Sequence, residues 1–267
     1  MFRDLAPFIV TGLLTGTIYG LLSTGLVLTF KTSGIFNFGH GAILSLASLA
    51  FYWMHVDKGW DWKIAFFISV FVLGPLIGLV MEVVGRSLTE RSTSMKVVGT
   101  VGLSVLVPSL ILIKYPMSSN GFKVERFLPF SNRQKYKVDI FDVKVFGDQI
   151  FIAAIAILCV VGLFMLFRYS RLGLAMRAAV DDSELLALTG TEPKVVRRIA
   201  WMIGCSFAAL SGVLLLPSVT LQPYALTFLA TYAFGAAAIG SFRSVPLAFV
   251  GGLVVGIRDA AVAGRNQ

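Results

Sequence analysis

Residues Leu5–Phe30 read LAPFIVTGLLTGTIYGLLSTGLVLTF, twenty-six positions without one charged side chain. As a helix rising 1.5 Å per residue, such a run is about 39 Å long, more than the ~30 Å hydrocarbon core of a bilayer. It predicts a membrane-crossing helix. The leader Met1-Phe2-Arg3-Asp4 carries a balanced charge pair, and the apolar run exceeds the 7–15 residues of a signal-peptide core. The reading is a retained anchor.

The rest of the chain repeats the pattern. Apolar runs follow at Ile35–Met54, Ile64–Val84, Val97–Ile113, Ile150–Phe167, Ile199–Leu216 and Ala225–Phe242, with a shorter one at Val245–Ile257. None alternates with the period of two that barrel strands need, and lipid accommodates only helices or closed barrels. The expected fold is therefore an all-α polytopic transmembrane helix bundle with seven clear spans and a doubtful eighth. That eighth run covers only about 20 Å before Arg258 and Asp259, so it crosses only if those charges are shielded or snorkel. Composition agrees: 57% of the 267 residues are hydrophobic and only 14% charged, which excludes a soluble enzyme, a disordered tail and a secreted disulfide scaffold. No linker, low-complexity tract or internal repeat divides the chain, so it reads as one domain.

The net charge of +9 is not a nucleic-acid signature in such a setting; basic residues in membrane proteins gather in cytoplasmic loops. If residues 168–198 are cytoplasmic, so are 31–34, 85–96 and 243–244, and the amino terminus lies outside. Those segments hold eleven of the 23 Lys and Arg residues, against twelve outside, seven of them in the single loop Lys114–Asp148. Charge alone leaves orientation tied, unless that loop is a folded cap that translocates regardless. Trp53, Trp60 and Trp62 flank one loop, and Trp201 starts a span, as expected of indoles in the headgroup layer. Cys159 and Cys205 fall within spans and are expected to be buried free thiols.

Three stretches carry functional information. Gly12, Gly16 and Gly20 stand at four-residue spacing on one helix face, a ridge for close helix packing that transporters also use in moving helices. Gly34-Ile35-Phe36-Asn37-Phe38-Gly39-His40-Gly41 places an amide and an imidazole among glycines in an apolar run. Exposed backbone there is tolerable only if packed in protein or lining a cavity. Asn37 and His40 are thus candidates for a polar pathway or, alternatively, for a capped helix start; a metal role for His40 is improbable because His55 is the only other histidine. Between the fifth and sixth spans, Arg168, Arg171 and Arg177 precede Asp181, Asp182, Glu184 and Leu185-Leu186-Ala187-Leu188, closed by Gly190 and then Pro193. This predicts a short amphipathic helix over Glu184–Thr189, capped by Asp181 or Ser183, or else a solvated basic loop.

Taken together, these residues resemble the membrane permease subunit of branched-chain amino acid ABC importers, of the Liv type. The likeness rests on Thr11–Phe30 running into Gly34–Gly41, on Gly173–Arg177 with Ala187 and Gly190, and on Ala237-Ala238-Ile239-Gly240-Ser241 followed by Pro246 and Gly251-Gly252. It covers nearly the whole chain. The resemblance implies a multi-pass subunit of the cell (inner or plasma) membrane. Its expected partners are a second permease subunit, two ATP-binding subunits and an extracytoplasmic substrate-binding protein. No G-x-x-x-x-G-K-[S/T] phosphate loop occurs, so no cofactor is expected on this chain and ATP is used by the partners; it is not expected to be an enzyme. It further implies that Arg177, Asp181, Asp182, Glu184 and Gly190 couple to the ATPase, and that Asn37 and His40 line the substrate pathway. Two departures stand out. Gly190-Thr191-Glu192-Pro193 replaces the family's usual Gly-Ile-Asn/Asp, and the family continues with a further helix where this sequence stops at Gln267, so the permease domain over 1–267 is expected to lack its last helix. A urea or short-amide permease of the same family, and a non-transporting scaffold or inactive truncated permease, remain the alternatives.

Overall fold

A computed structural model describes residues 2–89, 91–116, 121–132, 136–140 and 143–265. The first apolar run becomes α1 (Phe2–Ser33), which ends where Gly34, at φ 67°, donates its N–H back to the Phe30 carbonyl. Only a residue without a Cβ takes that left-handed turn readily. The second run is not one helix. Residues 34–39 are non-helical, and α2 (His40–Tyr52) starts five residues later than the apolar run, continuing through a wide π turn at Trp53–Asp57.

After the turn at 58–61, α3 (Trp62–Phe67), a second π turn at Ile68–Leu73 and α4 (Gly74–Thr89) form one long crossing, and α5 (Thr93–Lys114), bearing Pro108, returns. The connection to α6 (Gly147–Tyr169) contains a hairpin of β1 (Lys137–Ile140) and β2 (Val143–Phe146), paired antiparallel with Lys137 opposite Phe146. This connection folds down onto the bundle. Phe127 packs on Phe51, His55 and Trp62, Phe122 pairs with Leu221, and Arg126 forms an ion pair with the buried Asp148. The chain continues through α7 (Arg171–Asp181), α8 (Ser183–Leu188), α9 (Pro193–Leu215), α10 (Pro223–Phe228), α11 (Ala230–Ile239) and α12 (Val245–Arg265).

Six helical segments among the described residues are long and apolar enough to cross a membrane, namely Ala6–Ser33, Trp62–Leu88, Ser94–Lys114, Gly147–Tyr169, Pro193–Leu215 and Val245–Ala263. The fold is an all-α polytopic bundle. Two of the expected spans, Ile35–Met54 and Ala225–Phe242, are instead broken: the former starts as an extended link, and the latter is split into α10 and α11. The doubtful eighth run meets the condition set for it. It belongs to a 21-residue helix, because Asp259 accepts hydrogen bonds from Tyr19 (3.1 Å) and Tyr232 (2.9 Å), whose rings stack on each other, while Arg258 stays exposed.

The centre of the bundle is α1 and α9. Their most apolar windows are 78% and 67% buried, whereas that of α5 is 17% buried and turns its apolar face outward. Trp201 is a second correction: it lies fully buried in α9, beside Gly85 of α4, rather than in a headgroup layer. Cys205 is buried and Cys159 partly so.

Candidate functional site

The α1–α12 contact is built from glycine on both sides. A Cβ on Gly12, Gly16 or Gly20 would meet Ile257, Leu253 or Phe249, and one on Gly252 or Gly256 would run into the backbone of Gly16 and its neighbours. The two helices therefore touch backbone to backbone, as a small-xxx-small ridge permits. Gly25 against Gly204 does the same for α1 and α9, and Gly74 and Gly78 for α4 and α9.

Against this framework the link at 34–39 runs back into the bundle. His40 Nε2 lies 3.1 Å from the carbonyl of Leu22, which is eleven residues, or about 16 Å, from the end of α1. Because a carbonyl can only accept, Nε2 carries the proton and Nδ1 is left as an acceptor. Thus α2 begins at half depth. It meets the break between α10 and α11 there: a Cβ on Gly41 would collide with the Thr227 carbonyl and the Ala230 side chain. Irregular backbone at membrane depth, formed where two discontinuous helices meet, is the arrangement in which transporters build substrate sites.

The polar groups of this junction are fully enclosed. Asn37 and His40 are both 0% exposed, and neither Asn37 Oδ1 nor Nδ2 nor His40 Nδ1 has a hydrogen-bond partner among the described residues. A buried amide without partners costs about 1–3 kcal/mol, so its retention needs a reason. The two side chains do not face each other's neighbours. Asn37 Oδ1 lies near Gly39 on the side of Leu103 and the Thr100 carbonyl of α5, whereas His40 turns to Leu22 and Gly25 of α1. Beside Gly39, an apolar cavity of about 390 Å³ opens between α2, α4 and α5, lined among others by Ala42, Ile43, Leu46, Leu103 and Val107. Thr100 Oγ1 donates to the Phe36 carbonyl and so ties the link to α5. Three phenylalanines hold it from the other side: Phe30 stacks on Phe36, Phe234 stacks on Phe38, and Phe242 meets Phe30, Phe36 and Phe234.

The second candidate region is the pair α7–α8. Asp182 ends α7 and caps α8, its carboxylate accepting from the N–H groups of Glu184 and Leu185 at 3.0 Å; the cap is thus neither Asp181 nor Ser183, whose side chains lie outside the described residues. Gly190, at φ 82°, takes the left-handed turn after α8. Glu184 and Arg177 are exposed, as are Leu174, Leu185 and Leu188, the last at 83%. The helix α8 therefore buries Leu186 in the core but turns Leu185 and Leu188 outward.

One functional group escaped the sequence reading. Glu82 of α4 has a fully buried side chain paired with Arg197 Nε (3.2 Å) and Arg198 Nε (3.6 Å) at the start of α9. A lone carboxylate inside an apolar run was the available signal. Ser23, Ser45 and Ser69 are also buried, their hydroxyls without partners among the described residues.

A helix bundle with a re-entrant polar junction and an exposed helical loop defines a membrane permease, and the comparisons agree. Residues 8–264 match the family described as branched-chain amino acid transport system / permease component, and the chain belongs to it. Among its relatives is the high-affinity branched-chain amino acid transport system permease protein LivH of Escherichia coli, 27% identical over 261 residues that cover 93% of this chain and 83% of that one. BraD of Pseudomonas aeruginosa, also a high-affinity branched-chain amino acid transport system permease protein, is 27% identical over 94% of this chain and 84% of its own. A probable LivH of Methanocaldococcus jannaschii is 23% identical over 91% and 76%. No solved structure matches the chain.

Proposed function

We propose that the chain is the permease subunit of an inner-membrane ABC importer for branched-chain amino acids, working with a second permease, two ATP-binding subunits and an extracytoplasmic binding protein. The observation that carries the reading is the half-depth junction, where buried Asn37 keeps both ends of its amide unpartnered beside an apolar cavity. The Asn37 amide, with one donating and one accepting end, suits the carboxylate and ammonium of a zwitterion, and the cavity beside Gly39 suits an aliphatic side chain. The exposed leucines of α7–α8, with Arg177, Asp182, Glu184 and the Gly190 turn, support docking of an ATPase on this loop, the reading in which residues 168–198 are cytoplasmic. ATPase closure would then rock the helices around the junction, giving alternating access.

The test is uptake into proteoliposomes that contain the chain with its cognate ATPase and binding protein. ATP-dependent accumulation of leucine, isoleucine or valine is the expected result; no uptake of any of the three overturns the proposal.

A further inference from the structure

Between the half-depth junction and the α7 end of the bundle lies one continuous group of rings. Phe30 of α1 stacks on Phe36 of the link with ring centres 4.2 Å apart, and Phe38 stacks on Phe234 of α11 at 4.6 Å. Phe242, in the turn between α11 and α12, joins the two pairs, lying 5.0 Å from Phe36, 5.4 Å from Phe30 and 6.3 Å from Phe234. Phe30 is eight residues, or about 12 Å, beyond Leu22 along α1, which sets the group below the level of His40. On its far side opens a cavity of about 800 Å³, lined by Phe30 and Phe242 with Gly34, Val180 of α7, and Pro193 and Arg197 at the start of α9. All five rings are partly exposed, whereas Asn37 and His40 behind them are fully buried. The cavity thus ends at the rings. A packed apolar layer of this kind admits neither water nor a zwitterion until it is displaced.

Phe242 is placed differently from the other four rings. Its turn caps α11: the Ser241 N–H donates to the Ala238 carbonyl and the Phe242 N–H to that of Ala237. In this type of cap glycine normally takes the left-handed position. Here Gly240 stands one residue too early, at φ −80°, and Ser241 and Phe242 take φ 52° and 55°. Left-handed backbone is unfavourable for a bulky side chain and persists only where the surroundings hold it. What holds Phe242 is its contact with three of the other rings. They stand on α1, on α11 and on the link that Thr100 ties to α5, so the ring on the strained turn is the one whose release costs the framework least.

We propose that Phe30, Phe36, Phe38, Phe234 and Phe242 form the gate that closes the junction toward the α7 end, and that displacement of Phe242 from its strained turn opens it. The inference rests on the junction being the substrate path, as proposed above. Ala179 and Val180 of α7 line the same cavity, so the gate adjoins the loop on which the ATPase would dock.

The experiment is labelling of a junction cysteine by a charged, membrane-impermeant methanethiosulfonate, with the assembled importer in inverted and in right-side-out membrane vesicles. Asn37→Cys and His40→Cys, each in a Cys159→Ser/Cys205→Ser background, are the reporters. Labelling should be slow from both faces while Phe242 is present. Phe242→Gly should raise the rate by about tenfold or more at one or both reporters, in inverted vesicles only. Glycine favours the left-handed turn, so this variant loses the ring and keeps the backbone. Phe234→Leu, which thins the group from α11, should raise the rate by a smaller factor. Phe242→Tyr should keep labelling slow, and so should Phe164→Ala, which removes a ring at the same end of the bundle but outside the group. An unchanged rate in Phe242→Gly, a rise from both faces, or an equal rise in Phe164→Ala overturns the gate. A rise confined to right-side-out vesicles upholds the gate and overturns the cytoplasmic reading of residues 168–198. Absence of uptake by the unsubstituted importer overturns the proposed function, whereas the labelling rates test the barrier without any substrate.

Discussion

The seam between α1 and α12 and the junction at 34–41 are both rich in glycine, yet they use it for opposite ends. In the seam, every missing Cβ is replaced by the backbone of the opposite helix, so the contact is filled and both helices keep their internal hydrogen bonds. At the junction, missing side chains let a non-helical strand enter the bundle beside groups whose hydrogen bonds are not completed. Glycine spacing alone therefore does not distinguish a structural contact from a functional one. What separates them is whether polar groups remain unpartnered.

Substitutions should divide along the same line. The largest effect is expected for Gly252→Leu, whose side chain has no room against Gly16 and Gly20. Forcing two backbones apart should cost at least about 3 kcal/mol, seen as a collapse of monodisperse yield; a normal elution profile and melting midpoint would break the description of the seam. Asn37→Leu should behave in the opposite sense. Removing a buried amide without partners should stabilise the chain by about 1–3 kcal/mol in thermal unfolding, while ATP-dependent uptake falls at least tenfold. Normal uptake would take Asn37 out of the pathway. The smallest change is expected for Tyr232→Phe, which removes one of the two hydrogen bonds to Asp259 at a cost of about 1.5 kcal/mol and leaves transport intact. A shift as large as that of Gly252→Leu would mean that Tyr232, and not the glycines, holds the seam.

Much of the architecture was legible because apolarity and length are local properties. Six of the runs became crossing helices for that reason, and in the loop after α6 the short helix α8 was legible from its leucines and Gly190, whereas its cap is Asp182 and not Asp181 or Ser183, and α7 was not foreseen. Hydropathy failed where hydrogen bonding, not apolarity, decides. Ile35, Phe36 and Phe38 are as apolar as helical neighbours, although their backbone is extended. The break near Leu229 carries no glycine or proline to mark it. The end of α12 stayed doubtful because the groups that shield Asp259, Tyr19 and Tyr232, are supplied by other helices. For the same reason the amide and imidazole at 37 and 40 stood out in the sequence, but what faces them, Thr100 and Leu22, did not: those contacts exist only after the chain has folded.

Glu82 has a consequence for how the molecule is made. Its partner Arg197 is 115 residues further along, so α4 leaves the ribosome long before the cations that neutralise it. On insertion scales a carboxylate in a span costs up to about 3 kcal/mol, which the remaining apolar residues of Trp62–Leu88 outweigh. Biosynthesis therefore runs through a stage in which α4 is inserted with its charge uncompensated, and the arrival of α9 neutralises it before α12 closes on α1.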